Sequence, residues 1–328
     1  MNIKSKPFVS IVTPVFNGEK YLGECIESAL NQTYDNWEYN IINNCSKDGS
    51  LEIARNYAKQ DSRIRIHDNE KFLGMVDNFN HSLLQISDES KYCKILHADD
   101  FLFPECIEKM VGLAEENRSV GIVGSYVLER VRVKYDGLPY PSHVTRGHEI
   151  CRMVLMDRSP VSGGLYVFGS PTSLLIRSDL IRGRKPFYSD RYLQVVDQEA
   201  CYHLLQNADF GFVHQVLTFS RQHDNSTTSS GSSLNKLILE ELMLLLDYGP
   251  VYLSNEEYEK RLSQRIDKYY RFLADSVFEN KGKEFWKFHK NGLRRLNLPL
   301  RGSRLIKDGL RASARRLAFF LMYPKKSV

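Results

Sequence analysis

The stretch FVSIVTPVFNGEKYLGECIESALNQ, residues 8–32, changes its hydrophobic period halfway along. Its first nine residues are mostly apolar and β-branched, which is typical of a buried strand. After Asn17-Gly18 the apolar residues recur at helical spacing, at Tyr21, Leu22, Cys25, Ile26, Ala29 and Leu30. A strand that passes through a turn into an amphipathic helix is the repeating unit of an α/β fold.

The same alternation continues beyond this first unit. Strand-like segments recur at WEYNIINN (37–44), RIRIHD (63–68), KYCKILHADD (91–100) and VGIVGSYVL (120–128), with helix-like segments between them. Two more strands are predicted at 170–181 and 209–223, on either side of a helix at 195–207. We therefore predict a mixed sheet flanked by helices.

A change in pattern divides the chain near residue 230. The polar stretch DNSTTSSGSS, residues 224–233, reads as a loop, and the sequence beyond it is helical. Ser254 and Glu257 form a capping-box signature at the start of one of these helices. We predict two domains, an α/β domain at 1–230 and a helical region at 231–328.

The charge of the chain is unevenly distributed. The net charge is +5, but residues 291–328 contain ten Lys or Arg and one acid, Asp308. In residues 304–322 the cations Arg304, Lys307, Arg311 and Arg315 recur at helical spacing, and Ile306, Leu310, Leu317 and Leu321 occupy another face. This pattern favours a tail that lies on an anionic membrane surface, although packing on the body or on a partner is the alternative.

Composition sets further expectations. No apolar run approaches the roughly 20 residues of a spanning helix, and no leader precedes the first strand, so we expect a cytoplasmic protein, peripheral on the inner face of the membrane. The six cysteines are scattered singly, which favours reduced thiols. Basic residues do not interleave with aromatic ones, so nucleic acid is not an expected partner.

Polar residues collect where three strands end. In α/β sheets ligands bind beyond the carboxyl ends of the strands, which gathers TPVFNGE (13–19), NNCSKDGS (43–50) and HADD (97–100) at one edge. The adjacent carboxylates Asp99 and Asp100 repel each other unless a positive charge lies beside them, and Mg²⁺ or Mn²⁺ is the candidate. The alternative is a cap for the following helix. Neither a GxGxxG nor a P-loop motif is present.

At these segments the sequence resembles the family 2 glycosyltransferases, which have the GT-A fold. IINNCSKDGS stands where the family has an Asp-Asp-Gly-Ser-Thr-Asp-Gly-Ser run, and HADD stands at its Asp-x-Asp position. GSPTSLLIRSDL (169–180), VVDQEACYHLLQ (195–206) and FSRQHDNSTTS (219–229) resemble the acceptor-side segments. The resemblance covers roughly residues 7–230.

The resemblance implies a role for each matching residue. The donor site would contain Thr13, Pro14 and Phe16 at the base and ribose, Glu19 at the ribose, Asn43 or Asn44 at the base, Asp48 in the same run, and Asp100 beside the sugar. The metal would bind Asp99, with Arg221 and His223 near the diphosphate or metal. Asp197 would be the catalytic base, with Glu199 as a rival.

Three departures from the family pattern affect these roles. Asn43 and Asn44 replace the usual Asp, so an amide would recognise the base, which weakens the preference for uridine. His97 replaces a common carboxylate at the metal motif. VDQE (196–199) replaces the usual Glu-Asp pair near the base, which leaves Glu199 as a rival to Asp197. The expected activity is a metal-dependent, inverting glycosyltransferase that uses a nucleotide sugar, UDP-sugar being weakly favoured, with a glycan or lipid-linked glycan acceptor in bacterial surface polysaccharide (O-antigen or capsule) synthesis. The alternatives are a non-catalytic sugar-nucleotide or glycan-binding protein and a metal-dependent nucleotidyltransferase.

Overall fold

The computed structural model describes residues 6–134, 137–158, 167–222 and 234–310. The chain divides into two compact units, Met1–His223 and Asp224–Val328. The described strands of the first unit are β1 (Val9–Val15), β2 (Trp37–Asn43), β3 (Ile64–Asp68), β4 (Tyr92–Ile95), β5 (Phe101–Leu102), β6 (Val120–Glu129), β7 (Arg132–Lys134), β8 (Val144–Thr145), β9 (Leu175–Arg177) and β10 (Asp209–Ser220).

Helices alternate with these strands and then continue without strands. In the first unit they are α1 (Glu19–Leu30), α2 (Ser50–Ala58), α3 (Met75–Leu83), α4 (Cys106–Glu116), α5 (Gly147–Leu155), α6 (Ser178–Arg182) and α7 (Val196–Leu204). In the second unit they are α8 (Lys236–Tyr252), α9 (Asn255–Phe278) and α10 (Lys283–Arg295). A further helical segment begins at 302 and is described to 310.

One mixed sheet organises the first unit. Its order is β3-β2-β1-β4-β9-β6-β10-β5, with β7 beside β6 and β8 beside β10. Strands β3, β2, β1 and β4 are parallel, and β9 is antiparallel to both of its neighbours. Because β1 pairs in parallel with both β2 and β4, the segments that follow these three strands leave the sheet at the same edge. This confirms the predicted mixed α/β architecture.

Helices cover the sheet with apolar faces, which explains why its central strands are buried on both sides. Every residue of β2 is buried, as expected for a parallel strand between two helical layers. In α1 the buried positions are Leu22, Cys25, Ile26 and Ala29, the face that the helical spacing predicts. Each large apolar side chain buried in this way contributes about 1.5–3 kcal/mol relative to an exposed one.

The sequence interpretation was wrong at one segment and incomplete at another. Residues 170–181 form a 3-10 helix at Pro171–Ser173, the short strand β9 and the helix α6 rather than one strand. Strand β5 was not predicted, since two residues carry no periodicity, and it exists because it pairs with Thr218 and Phe219 of β10.

The second unit is helical, as predicted, and has its own apolar core. Leu239, Leu242, Tyr269, Leu273, Phe285 and Leu293 form this core. The capping box at the start of α9 is present, with Ser254 accepting from the Glu257 backbone and Glu257 accepting from the Ser254 backbone. Among the described residues, no helix combines the length and the apolar character needed to cross a bilayer.

Candidate active site

The loops after β1 and β2 are fastened to each other at the carboxyl edge of the sheet. Asn17, in the left-handed region with φ 52°, donates its backbone N–H to Ser46 Oγ and accepts from the Lys47 backbone at 2.7 Å. The backbone of Gly18 donates to Ser50 Oγ at 2.8 Å. The two loops therefore form one rigid rim rather than two independent segments.

Two of the predicted donor-site carboxylates belong to this rim. Glu19 Oε2 accepts from the Gly49 backbone at 2.5 Å, and Asp48 Oδ2 accepts from the Glu19 backbone at 3.0 Å. Asp48 Oδ1 also accepts from the Ser50 hydroxyl at 2.6 Å. Burial works to raise the pKa of Asp48, but the hydrogen bonds from Ser50 and the backbone outweigh it and lower the pKa. Both acids shape the rim, and Glu19 is exposed at its surface.

The two asparagines after β2 are buried and use their amides inside the protein. Asn43 donates to Asp68 Oδ1 at 2.8 Å. Asn44 donates to the Leu73 carbonyl and accepts from the Leu73 backbone, both at 2.9 Å, and it also accepts from Asn69. Asn43 and Asn44 therefore fix the end of β3 and the loop that follows it. Asp68, the last residue of β3, has 44% of its side chain exposed.

The side chain of Thr13 does not line the rim. It is fully buried, and its hydroxyl donates to the Leu96 carbonyl at 2.7 Å and lies 2.8 Å from the Tyr39 hydroxyl. These contacts fasten β1 to β4 and β2. Successive side chains of a strand point to opposite faces of the sheet, and Thr13 is on a face where it is buried. Pro14, the next residue, is partly exposed.

An aromatic pair stands at the rim. Phe16, from the loop after β1, and Phe72, from the loop after β3, are 49% and 58% exposed. Their ring centroids lie 4.9 Å apart in an edge-to-face arrangement. Sequence reasoning named Phe16 and missed Phe72, although an aromatic residue in a loop after a strand of the parallel half was a usable signal. Two exposed rings at this edge form a surface on which a planar base can stack.

Three metal-binding groups gather after β4. His97, Asp99 and Asp100 each place a ligand atom within 4.8 Å of the others. His97 Nδ1 lies 3.6 Å from Asp100 Oδ2, and His97 Nε2 is buried without a hydrogen-bond partner in the described residues. Carboxylate oxygens suit Mg²⁺ and Mn²⁺, and imidazole is also an accepted ligand of transition metals. The donor set and the unsatisfied nitrogen fit a divalent cation.

The two adjacent aspartates have different surroundings. Asp100 is only 3% exposed, with one oxygen accepting from the Thr172 hydroxyl at 2.7 Å and the other from the Arg221 backbone at 2.9 Å. Burial raises the pKa of Asp100 and the Asp99 charge raises it further, while His97 opposes the change. Asp99 is partly exposed. Asp99 is therefore the more accessible ligand, and Asp100 holds neighbouring segments in position.

Arg221, just after the end of β10, contacts this cluster. Its Nε donates to the Asp99 carbonyl at 3.0 Å, and its guanidinium pairs with Glu24. The guanidinium also lies 4.5 Å from the centre of the Tyr21 ring. His223, the other predicted residue of this segment, lies outside the described residues.

On the acceptor side the structure separates the two candidate bases. Glu199 is buried, and both of its carboxylate oxygens accept from the same Arg184 nitrogen, Nη2, at 2.7 and 2.8 Å. Asp197 lies in the first turn of α7, is partly exposed and accepts from the Gln198 backbone at 2.9 Å. Glu199 is thus committed to an internal ion pair, and Asp197 is the one of the two with access to solvent.

A chain of rings joins the acceptor side to the metal-binding cluster. Phe79 of α3 packs edge-to-face on His97 at 5.5 Å and on Tyr188 at 5.8 Å. Burial raises the pKa of Tyr188, and the charge of Asp197 raises it further. Asn80 fixes the connection by accepting from the Tyr188 backbone and donating to its carbonyl. The sequence did not indicate a site role for Phe79, because an aromatic residue in a helix usually belongs to the hydrophobic core.

Sequence comparison finds a family model that matches this chain and known proteins that are similar to it. Residues 10–179, just over half of the chain, match the sequence model described as Glycosyl transferase family 2. EpsE of Bacillus subtilis (strain 168), provisionally named a glycosyltransferase, is 28% identical over 225 residues, which are 66% of this chain and 80% of EpsE. TuaG of the same organism, provisionally named a teichuronic acid biosynthesis glycosyltransferase, is 30% identical over 134 residues, 41% of this chain and 51% of TuaG.

A solved structure shares the fold. The crystal structure of S. aureus TarS 1-349 in complex with UDP-GlcNAc superposes with a TM-score of 0.63 and covers 88% of this chain and 79% of that chain. The identity is 16%, so the likeness concerns the fold alone. It confirms the predicted GT-A architecture.

Proposed function

This chain belongs to glycosyl transferase family 2, and we propose that it transfers a sugar from a nucleotide-sugar donor to an acceptor hydroxyl with inversion at the anomeric carbon. The observation that carries this proposal is the meeting of His97, Asp99 and Asp100 with the rim of β1 and β2 loops at one edge of the sheet. This edge can hold a nucleoside, a diphosphate and a divalent cation side by side.

The nucleoside is placed at the aromatic pair. Phe16 and Phe72 offer exposed ring surface for the base, and the exposed carboxylate Glu19 lies on the same rim for the ribose hydroxyls. Asp68 accepts from the buried Asn43 amide, pairs with Arg55 and is partly exposed, and we propose it for the base-recognition role in place of the asparagines. UDP-sugars remain the weakly favoured donors, because TarS, which has the same fold, was crystallised with UDP-GlcNAc.

The diphosphate is placed beside Asp99. A divalent cation bound there, Mn²⁺ or Mg²⁺, supplies positive charge next to the leaving nucleoside diphosphate. Asp99 is the proposed ligand from the protein, with His97 at its side, and Asp100 fixes the turn that presents both. Arg221, which stacks on Tyr21, pairs with Glu24 and donates to the Asp99 carbonyl, is a second cation close to the same place.

Asp197 is the proposed base. The acceptor oxygen forms a bond to the anomeric carbon as the bond from that carbon to the diphosphate breaks, and the acceptor proton passes to the Asp197 carboxylate. A positioned general base contributes roughly 10²- to 10⁴-fold to such a reaction. The partial exposure of Asp197 supports this role. Burial and, after it, the charge of Asp197 raise the pKa of Tyr188, and the Tyr188 ring packs on Phe79, which contacts the cluster.

The acceptor is proposed to be a glycan or a lipid-linked glycan in the assembly of a bacterial surface polysaccharide. The similarity to TuaG supports this class. Attachment to the inner face of the membrane through the basic tail is also a proposal, and residues 311–328 of that tail lie outside the described residues. The ten cations of residues 291–328 support it through their charge.

A donor panel tests the proposed function. UDP-, GDP- and dTDP-sugars are incubated with the full chain, with and without Mn²⁺, and the released nucleotide is identified by chromatography. Release of nucleoside diphosphate from one donor is the expected result. Release of pyrophosphate would indicate a nucleotidyltransferase, and donor binding without release, even with added acceptor glycans, would indicate a binding protein.

A further inference from the structure

The helical unit contains a cleft that the proposed transfer reaction does not use. It encloses about 780 Å³, within the range of small-molecule sites, and lies between α9 and the helical segment 302–310. The lining side chains are Asp267, Arg271, Arg301, Ser303, Arg304, Lys307 and Asp308. Four cations therefore face two carboxylates, which gives this cleft a positive charge.

Both carboxylates of the cleft lie beside the same lining cation, Arg304. Asp267 pairs with Arg304, whose guanidinium also lies 4.0 Å from Asp308. The Arg304 guanidinium is held in place by stacking on Tyr270, 4.4 Å from the ring centre. One lining cation is thus neutralised by the wall of the cleft and helps to fix its shape.

The other three cations of the cleft, Arg271, Arg301 and Lys307, are not paired with a carboxylate in the described residues. Within the described residues, Arg301 and Lys307 have no carboxylate partner, and Arg271 bonds through Nε only to the Asp267 carbonyl, at 3.4 Å. All three are exposed. The backbone N–H of Arg301 donates to the buried Tyr270 hydroxyl at 2.9 Å, so the position of this residue is fixed relative to α9.

A helix terminus adds to the same charge. Ser303 lies in the first turn of the segment 302–310, where backbone N–H groups carry partial positive charge, and its hydroxyl is a further donor. Guanidinium groups match tetrahedral oxyanions with paired hydrogen bonds, and an ammonium group adds a point charge. We propose that this cleft binds the phosphate or diphosphate group of a ligand, separately from the donor site.

Pyrophosphate binding to the full chain tests this proposal without any turnover. Calorimetry is performed in EDTA on the native protein, on Arg301→Gln/Lys307→Gln, and on the control Lys290→Gln/Arg295→Gln, which removes the same charges from exposed positions of α10 outside the cleft. Hydrogen bonds to charged groups make each lost contact worth about tenfold. We expect affinity to fall about tenfold or more in the cleft variant and to change less than about twofold in the control.

A second variant guards against a folding artefact. Ser303→Glu places a negative charge in the cleft but also in the first turn of a helix, where it favours the helix, so the fold should persist while pyrophosphate is repelled. Unchanged affinity in either cleft variant, or an equal loss in the control, would overturn the proposal. UDP binding is measured on the same variants in a separate titration with Mn²⁺, so failure of this site is distinguishable from failure of the proposed function.

Vesicles identify the source of the phosphate group. If the native ligand is a lipid headgroup, phosphatidylglycerol vesicles retain the native chain, phosphatidylcholine vesicles do not, and pyrophosphate releases it. If only pyrophosphate and inorganic phosphate bind through the cleft, the source is a soluble phosphate. Both results support the site, and vesicle binding that is insensitive to pyrophosphate and to the cleft substitutions assigns the membrane contact elsewhere.

Discussion

The hydroxyl of Thr172 donates a 2.7 Å hydrogen bond to the buried carboxylate of Asp100, and the Thr172 hydroxyl oxygen also accepts from the His97 backbone N–H at 3.2 Å. Thr172 belongs to the acceptor-side half of the first unit, and Asp100 to the metal-binding cluster. This one hydroxyl therefore joins the two halves of the candidate site, and among the described residues it is one of two donors to the Asp100 carboxylate.

Replacement of this hydroxyl should weaken the fold at the site. Thr172→Val leaves a buried carboxylate oxygen without its donor, which costs about 1–3 kcal/mol. Thr172→Ser keeps the donor and loses only a methyl group, about 0.8 kcal/mol. Urea unfolding measures both variants, and native stability in Thr172→Val would show that the hydrogen bond contributes nothing.

The two acidic residues of α7 should respond differently to neutralisation. Glu199→Gln breaks a buried pair and leaves Arg184 uncompensated, so stability should fall by roughly 3–5 kcal/mol. Asp197→Asn should fold normally and lower the transfer rate by roughly 10²- to 10⁴-fold. Unfolding curves and nucleoside diphosphate release separate the effects. Native turnover in Asp197→Asn would place the base elsewhere.

The aromatic pair should contribute to nucleotide affinity and little to stability. Base stacking on an aromatic ring is worth about 1–3 kcal/mol, so Phe16→Ala and Phe72→Ala should each weaken UDP binding by about fivefold or more. Tyr140→Ala removes another exposed ring and serves as the control. Calorimetry measures the affinity for UDP. Equal affinities in all three variants would show that the base does not bind at Phe16 and Phe72.

The helical unit should lose stability in acid. Burial lowers the pKa of His289 to about 4, and its imidazole bonds to the Tyr269 hydroxyl and the Leu234 carbonyl. The unfolded state therefore binds a proton between about pH 6.5 and 4 that the folded state does not, so stability falls as pH decreases through this window. Urea unfolding midpoints at several pH values measure how steeply the stability changes with pH.

A variant without the titrating ring tests that cause. His289→Phe should reduce the loss of stability between pH 6.5 and 4, even though its stability at neutral pH is lower. His148→Gln, at an exposed position, should keep the native slope. A slope that survives in His289→Phe would assign the acid sensitivity to other groups.

Periodicity predicted the elements of this fold well. The bounds of β1, β2 and α1 agree with the segments read from their spacing, because local patterns of burial determine them. The same patterns could not find β5 or divide residues 170–181, where two- and three-residue strands depend on partners far along the chain. Strand-end position also predicted the meeting of three loops at one edge.

The roles of individual polar residues were harder to predict. Asn44 bonds to Leu73, and Glu199 pairs with Arg184, so both polar groups are used inside the protein. These partners lie 29 and 15 residues away, and a sequence alone does not show which polar groups are satisfied internally. Phe72 was missed although its position in a loop after a parallel strand was a usable signal; its contact with Phe16 became visible only in the structure.

The central claim is that Asp99 holds the divalent cation that assists donor binding. The most direct test is calorimetric titration of the donor identified by the panel, with Mn²⁺ and with EDTA, into the native chain, Asp99→Asn and Asp197→Asn. Titration of Mn²⁺ alone accompanies it. We predict that Mn²⁺ strengthens donor binding in the native protein and in Asp197→Asn, but not in Asp99→Asn. Native, Mn²⁺-dependent affinity in Asp99→Asn would contradict the claim.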